Sequence, residues 1–121
     1  MIPKRDLSSI YRRIKKNCCA EWEIDRTEFY TWYEKRFEQQ KGHCEYCHLP
    51  GDTMRYFKKW FRDGRRGKRL EVDRRESKEA YSPENCVLAC YPCNNAKSDV
   101  FTYNEFVEIG KTIRKIKKHT H

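Results

Sequence analysis

Two cysteine pairs, Cys44-Glu-Tyr-Cys47 and Cys90-Tyr-Pro-Cys93, constrain this chain more than any other feature. A C-x-x-C turn is tight enough to aim both of its sulfurs at one ion. Two such turns supply four thiolates, which fill the tetrahedral shell of Zn²⁺ and leave no position open to water. A site of that kind is structural, not catalytic. The 42 residues between the pairs exceed what a plain zinc ribbon holds, so a substantial element is inserted between them. Two unrelated pairs, or a redox C-x-x-C, would account less well for the Gly, Pro and His residues in or beside both turns.

The rest of the composition makes such a staple necessary. Leu, Ile, Val and Phe supply only 21 of 121 residues, and the formal net charge is +9. That combination belongs to chains too poor in core to fold unaided. Against it stand a 14% aromatic content and the metal site. Metal-binding energy becomes folding energy when no site exists in the unfolded chain. The expectation is a single folded domain, 1–121, that requires its metal. It divides into a helical N-terminal region (1–41), a zinc-bound core (42–101) and a basic C-terminal helix (102–121).

Seven cysteines, an odd number, and no opening apolar signal segment argue against a secreted disulfide framework and for a reducing cytoplasm. No apolar run reaches membrane-spanning length, so a soluble protein is expected. The excess of Lys and Arg, 27 against 18 acids, suits a polyanionic partner. Cys18 and Cys19 are adjacent, poorly placed to share an ion, and read as helix-end packing. Cys86 reads as core. His43 and His48 flank the first pair, where either could replace a ligand, but four thiols already suffice.

Local signals outline the elements. Asp6 can cap a helix over 7–18 with Ile10 and Ile14 on its apolar face. Asp25 and Glu28 have capping-box spacing ahead of Phe29, Trp32, Tyr33 and Phe37, so a second helix should run to about Gln40 and stop at Gly42. Leu70 and Val72 alternate with Arg69, Glu71 and Asp73, as in a half-buried strand. Residues 85–89 form a second strand after the turn Tyr81-Ser-Pro-Glu84. A short helix with Asn94, Asn95 and Lys97 follows the second cysteine pair. Thr102 and Glu105 open a last helix over 103–118, with Phe106, Val107, Ile109, Ile113 and Ile116 as apolar positions and Gly110 as a weak point.

With these elements in place, Leu70-Glu-Val-Asp73-Arg74, then Tyr81-Ser-Pro-Glu-Asn85-Cys-Val-Leu-Ala-Cys90-Tyr-Pro-Cys93-Asn94-Asn95-Ala-Lys97-Ser98, resembles the HNH endonuclease family. The resemblance covers about half of the chain and leaves out the flanking helices. It implies an α+β fold: a small ββα-metal core with a four-cysteine structural zinc site (Cys44, Cys47, Cys90, Cys93), flanked by N-terminal and C-terminal helices. It also implies site roles. Asp73 and Asn94 would hold a catalytic divalent ion, and Asn85 would tie the hairpin loop together. Asn94 stands where the family has its last His, and an amide oxygen favours Mg²⁺ or Mn²⁺ over zinc. Arg74 stands where the family has its general-base His. A guanidinium stays protonated, so Arg74 can grip phosphate but cannot accept a proton. A replacement base would come from Glu76, Glu79, Tyr81, His48 or hydroxide formed on the metal.

Immediately before the first strand, residues 58–69 hold seven cations interleaved with Trp60 and Phe61. Cations meet phosphates and rings stack on unpaired bases, so the expected nucleic-acid contacts are Lys58, Lys59, Arg62, Arg65, Arg66, Lys68, Arg69 and, on the helix after the second pair, Lys97. A solvated loop whose aromatics cover the zinc site would have the same composition. Three functions are thus distinguished: a metal-dependent nuclease cutting DNA, a catalytically degenerate nucleic-acid-binding module on the same scaffold, and a zinc module that binds protein. Small solitary HNH domains occur in phage, mobile elements, restriction and defence systems.

Overall fold

The structure is a computed structural model that describes residues 4–17, 24–51, 57 and 69–118, with side chains 7–15 in the first of these segments. The cations at 58–68, Cys18, Cys19, His119 and His121 lie outside the described residues. The elements are α1 (Lys4–Asn17), α2 (Arg26–Gln39), β1 (Glu71–Arg74), β2 (Cys86–Ala89), α3 (Tyr91–Lys97) and α4 (Tyr103–Lys118).

Helix α2 starts where local chemistry says it must. The Asp25 carboxylate accepts the Glu28 amide at 2.8 Å, and the Glu28 carboxylate accepts the Asp25 amide at 3.3 Å. The helix ends through Lys41 and Gly42, both with positive φ, and Gly42 N–H closes onto the Phe37 carbonyl at 2.9 Å. Helix α1 begins earlier than expected, at Lys4, so that Asp6 lies within its span. Its buried Leu7, Ile10 and Ile14 join the core, and Tyr11 meets Phe29 of α2 with ring centroids 5.6 Å apart. Phe29 and Tyr33 are fully buried, and the Tyr33 hydroxyl donates to the Leu70 carbonyl at 2.5 Å. The aromatic face of α2 is therefore core packing that also anchors the chain just before β1.

β1 and β2 pair antiparallel, Glu71 opposite Ala89 and Arg74 opposite Cys86. Two strands alone leave an edge of unpaired backbone groups. Here Gln40, at the end of α2, covers that edge: its amide oxygen accepts Leu88 N–H at 3.0 Å and its nitrogen donates to Leu88 C=O at 2.8 Å. The expected solvent-facing side of β1 does not exist, because Glu71, Val72 and Asp73 are all buried. The polar face of the strand is covered by other elements and forms the site described below.

Helix α4 spans 103–118, opened by reciprocal bonds between Thr102 and Glu105. Phe106 is buried, whereas Ile116, expected on the apolar face, is 54% exposed. Gly110 explains its own presence. A Cβ there would lie 2.3 Å from the Tyr46 carbonyl oxygen, so only glycine lets α4 rest on the first cysteine turn. No helix among the described residues is long and apolar enough to cross a membrane.

Candidate functional site

The four cysteines of the two C-x-x-C turns converge. The Sγ atoms of Cys44, Cys47, Cys90 and Cys93 all lie within 4.8 Å of one another, and every one is buried. Four sulfurs about 2.3 Å from a central zinc would be separated by about 3.8 Å along each tetrahedral edge. The Cys47–Cys90 separation is 3.7 Å, so the donor set fits zinc in number, type and size. Each turn is shaped by its own backbone. In the first, Cys44 N–H bonds to Leu49 C=O, His48 takes a left-handed φ of 59°, and Tyr46 N–H points at Cys44 Sγ. In the second, Cys90 is the N-cap of α3 and Pro92 occupies its first turn. Burial opposes ionisation of Cys44, but hydrogen bonds from the Cys47, Cys90 and Cys93 thiols outweigh it and hold Cys44 well below the usual thiol range. Those bonds push Cys90 and Cys93 up. Cys86 is also fully buried, on β2, away from the cluster.

Beside this cluster, β1, α1, α3 and the β1–β2 loop enclose an open cavity of about 380 Å³. Asp73, Arg74 and Asn94 all line it, together with Arg13, Glu71 and Tyr81. Glu71 and Asp73 share one face of β1 because strand side chains alternate. Asp73 is 5% exposed. Its Oδ2 accepts the Tyr46 hydroxyl at 2.5 Å and lies 3.5 Å from the Lys97 ammonium. Burial raises the Asp73 pKa above the usual carboxylate value, and the Tyr46 and Lys97 contacts oppose that rise. Burial and the neighbouring Asp73 carboxylate push the Tyr46 phenol up, so it remains a donor. Across the cavity, Asn94 Nδ2 donates to Glu71 Oε1 at 3.0 Å, which leaves the Asn94 amide oxygen as an acceptor. Glu71 Oε2 lies 3.7 Å from Arg13 of α1.

Arg74 is held by its surroundings. Its guanidinium donates to Glu79 C=O at 3.2 Å and lies 4.7 Å from the centre of the Tyr81 ring. Asn85 secures the loop that supports both residues. Its side chain accepts Glu76 N–H and donates to the Glu76 and Ala80 carbonyls.

Lys97 requires a correction. It was expected among the nucleic-acid contacts, but it is fully buried and donates to the Arg74 carbonyl at 2.7 Å. A cation so enclosed holds carboxylate and carbonyl in place and does not face a phosphate. Arg69 is half-buried at the entrance to β1. Among the four side chains considered as a replacement base, Tyr81 lines the cavity. Glu76 and Glu79 are exposed on the loop, and His48 is exposed beside Arg114 of α4. Glu71, Arg13 and Tyr46 were not singled out from the sequence. The spacing of Glu71 and Asp73, two apart on one strand, was the signal that could have found Glu71.

An antiparallel hairpin followed by a helix, joined by a four-cysteine site and flanked by a carboxylate-lined cavity, has the architecture of a ββα-metal nuclease fold. The chain is similar to a solved structure of the rare-cutting HNH restriction endonuclease PacI, a protein described for an extraordinary mechanism of DNA perturbation. The two are 30% identical, the match covers 91% of this chain and 78% of that one, and the TM-score is 0.68. The chain belongs to the HNH endonuclease family. No protein-family model and no curated protein matches it.

Proposed function

We propose that the chain is a divalent-metal-dependent endonuclease that hydrolyses phosphodiester bonds in DNA. The observation that carries this reading is the single cavity shared by Asp73, Asn94 and Arg74 next to the zinc-type staple. The similarity to a restriction endonuclease that acts on DNA supports DNA as the substrate. A carboxylate oxygen of Asp73 and the amide oxygen of Asn94 are hard donors, suited to Mg²⁺ or Mn²⁺. When bound, such an ion neutralises phosphate charge and lowers the pKa of water. Arg74 and Arg13 bring two guanidinium groups to the same cavity, where each can contact non-bridging phosphate oxygens. Asn85 keeps the supporting loop rigid. Arg74 cannot accept a proton, and of the four side chains named as a replacement base Tyr81 is the one that lines the cavity, so the proton is taken by Tyr81 or by hydroxide formed on the ion.

One observation favours a second reading, a non-catalytic nucleic-acid-binding module. Arg74 replaces the base and is itself engaged by Glu79 and Tyr81. A plasmid-nicking assay separates the two. The chain should nick with Mg²⁺ or Mn²⁺, and Asp73→Ala should abolish nicking. Absence of nicking with every metal, or nicking retained by the variant, excludes the enzyme. A mobility shift whose affinity falls steeply with salt would then leave the binding module in place.

A further inference from the structure

Tyr46 lies between two zinc-type ligands, in the turn Cys44-Glu-Tyr46-Cys47, yet its hydroxyl reaches the polar face of β1. The residue is 1% exposed. Its ring packs edge-on to Phe106 at 5.2 Å and against Tyr103 at 5.7 Å, both at the start of α4. Its backbone is fixed from the other side by Gly110. The cysteine turn and α4 together leave this side chain little freedom. At its tip, one oxygen of Asp73 takes both available donors, the Tyr46 hydroxyl at 2.5 Å and the Lys97 ammonium at 3.5 Å. No hydrogen bond or ion pair among the described residues engages Asp73 Oδ1, and Asp73 lines the cavity.

We infer that Tyr46 is a positioning residue that clamps Asp73 Oδ2 and so presents Oδ1 as a single-oxygen ligand for the divalent ion, coupling the four-cysteine staple to the cavity. This rests on the ion-binding role proposed above for Asp73. A carboxylate free to rotate could offer either oxygen, or both at once. Holding Oδ2 on two buried donors removes that freedom before the ion arrives, and it settles the direction from which the ion is met. Lys97 completes the clamp from α3, and its bond to the Arg74 carbonyl ties the same group to the strand end that carries Arg74. The chemistry of the first cysteine turn thus extends about one phenol ring beyond the sulfurs.

The test compares the zinc-loaded chain with Tyr46→Phe, Lys97→Gln, Lys97→Arg and Asp73→Ala, measuring Mn²⁺ affinity by electron paramagnetic resonance alongside zinc content and thermal unfolding. Tyr46→Phe keeps the ring against Phe106 and Tyr103 and removes only the hydroxyl. It should retain one zinc per chain and bind Mn²⁺ about tenfold or more weakly, the size of effect seen when a partner of a metal ligand is removed. Lys97→Gln loses a clamp donor but also a buried positive charge that repels the ion. It is therefore paired with Lys97→Arg, which keeps the charge, should bind Mn²⁺ more weakly than the parent, and carries the test if Tyr46→Phe loses zinc. Where activity is measured, kcat should fall in Tyr46→Phe with little change in KM. An unchanged Mn²⁺ affinity in a folded, zinc-loaded variant overturns the inference alone. An unchanged Mn²⁺ affinity in Asp73→Ala overturns the ligand role of Asp73, and this inference with it.

Discussion

Gly110→Ala sets two rules against each other, and the structure says which wins. On helix propensity alone, alanine in the middle of α4 should stabilise the chain by about 0.8–1 kcal/mol. The added methyl, however, would lie 2.3 Å from the Tyr46 carbonyl oxygen, 2.5 Å from its carbon and 2.8 Å from its Cβ. Ordinary contacts between such atoms sit near about 3.5 Å. Two of the three obstructing atoms are backbone, so no rotamer change relieves the clash and α4 must move away from the cysteine turn by roughly 1 Å. Forcing an extra carbon into packed surroundings costs about 1–3 kcal/mol, and rigid backbone puts this site at the upper end. The net expectation is a destabilisation of about 1–2 kcal/mol, a factor of about 5–30 in the folding equilibrium. Urea unfolding with zinc in excess measures it, with Lys111→Ala, on the exposed side of the same helix, as a near-neutral control. Because the displaced atoms belong to the turn holding Cys44 and Cys47, zinc competition against a chelator should weaken in parallel. A Gly110→Ala chain more stable than its parent would refute the packing of α4 on the first cysteine turn.

The remaining predictions address the edge, the anion site and the acid limit. Gln40→Leu should destabilise the chain by about 1–3 kcal/mol, because Leu88 N–H loses its acceptor; equilibrium unfolding measures it, and an unchanged midpoint would mean that water substitutes for the amide. Arg13→Ala should destabilise the chain modestly, since the Glu71 carboxylate it pairs with is only 7% exposed, and should raise KM for DNA cleavage; an unaltered KM removes Arg13 from phosphate binding. Burial lifts the ion-free Asp73 carboxyl above its ordinary range and a bound ion opposes protonation, so at Mg²⁺ well below saturation cleavage should fail on the acid side at a higher pH than an ordinary aspartate would give. A pH–rate profile with its acid limb at or below that ordinary value contradicts this.

What the sequence disclosed depended on how local each signal was. The cysteine turns, the Asp25–Glu28 and Thr102–Glu105 capping boxes and the αL stop at Gly42 are each written within a few residues, and they specified the staple and the bounds of α2 and α4. The face of β1 was misjudged for the opposite reason. Alternation of Leu70 and Val72 with Glu71 and Asp73 implies a wet side only if nothing covers it, and the covering groups come from Arg13, Tyr46 and Asn94, distant in the chain. Lys97 was misread likewise. A lysine at the end of a seven-residue helix looks solvated, and nothing nearby in sequence announces that Asp73 and the Arg74 carbonyl wait for its ammonium. Gly110 looked like a flaw in a helix; its reason is a contact with residue 46. Ile116 kept the apolar period of α4 past the point where α4 still has a core to face.

One diffraction experiment reaches the centre of this account: anomalous maps at the zinc and manganese edges from a single Mn²⁺-soaked crystal of the zinc-loaded chain. The expected result is a zinc peak inside the tetrahedron of Cys44, Cys47, Cys90 and Cys93 sulfurs, with a separate manganese peak touching Asp73 and Asn94. Sulfurs paired with other partners, or manganese bound anywhere but that cavity, would contradict it.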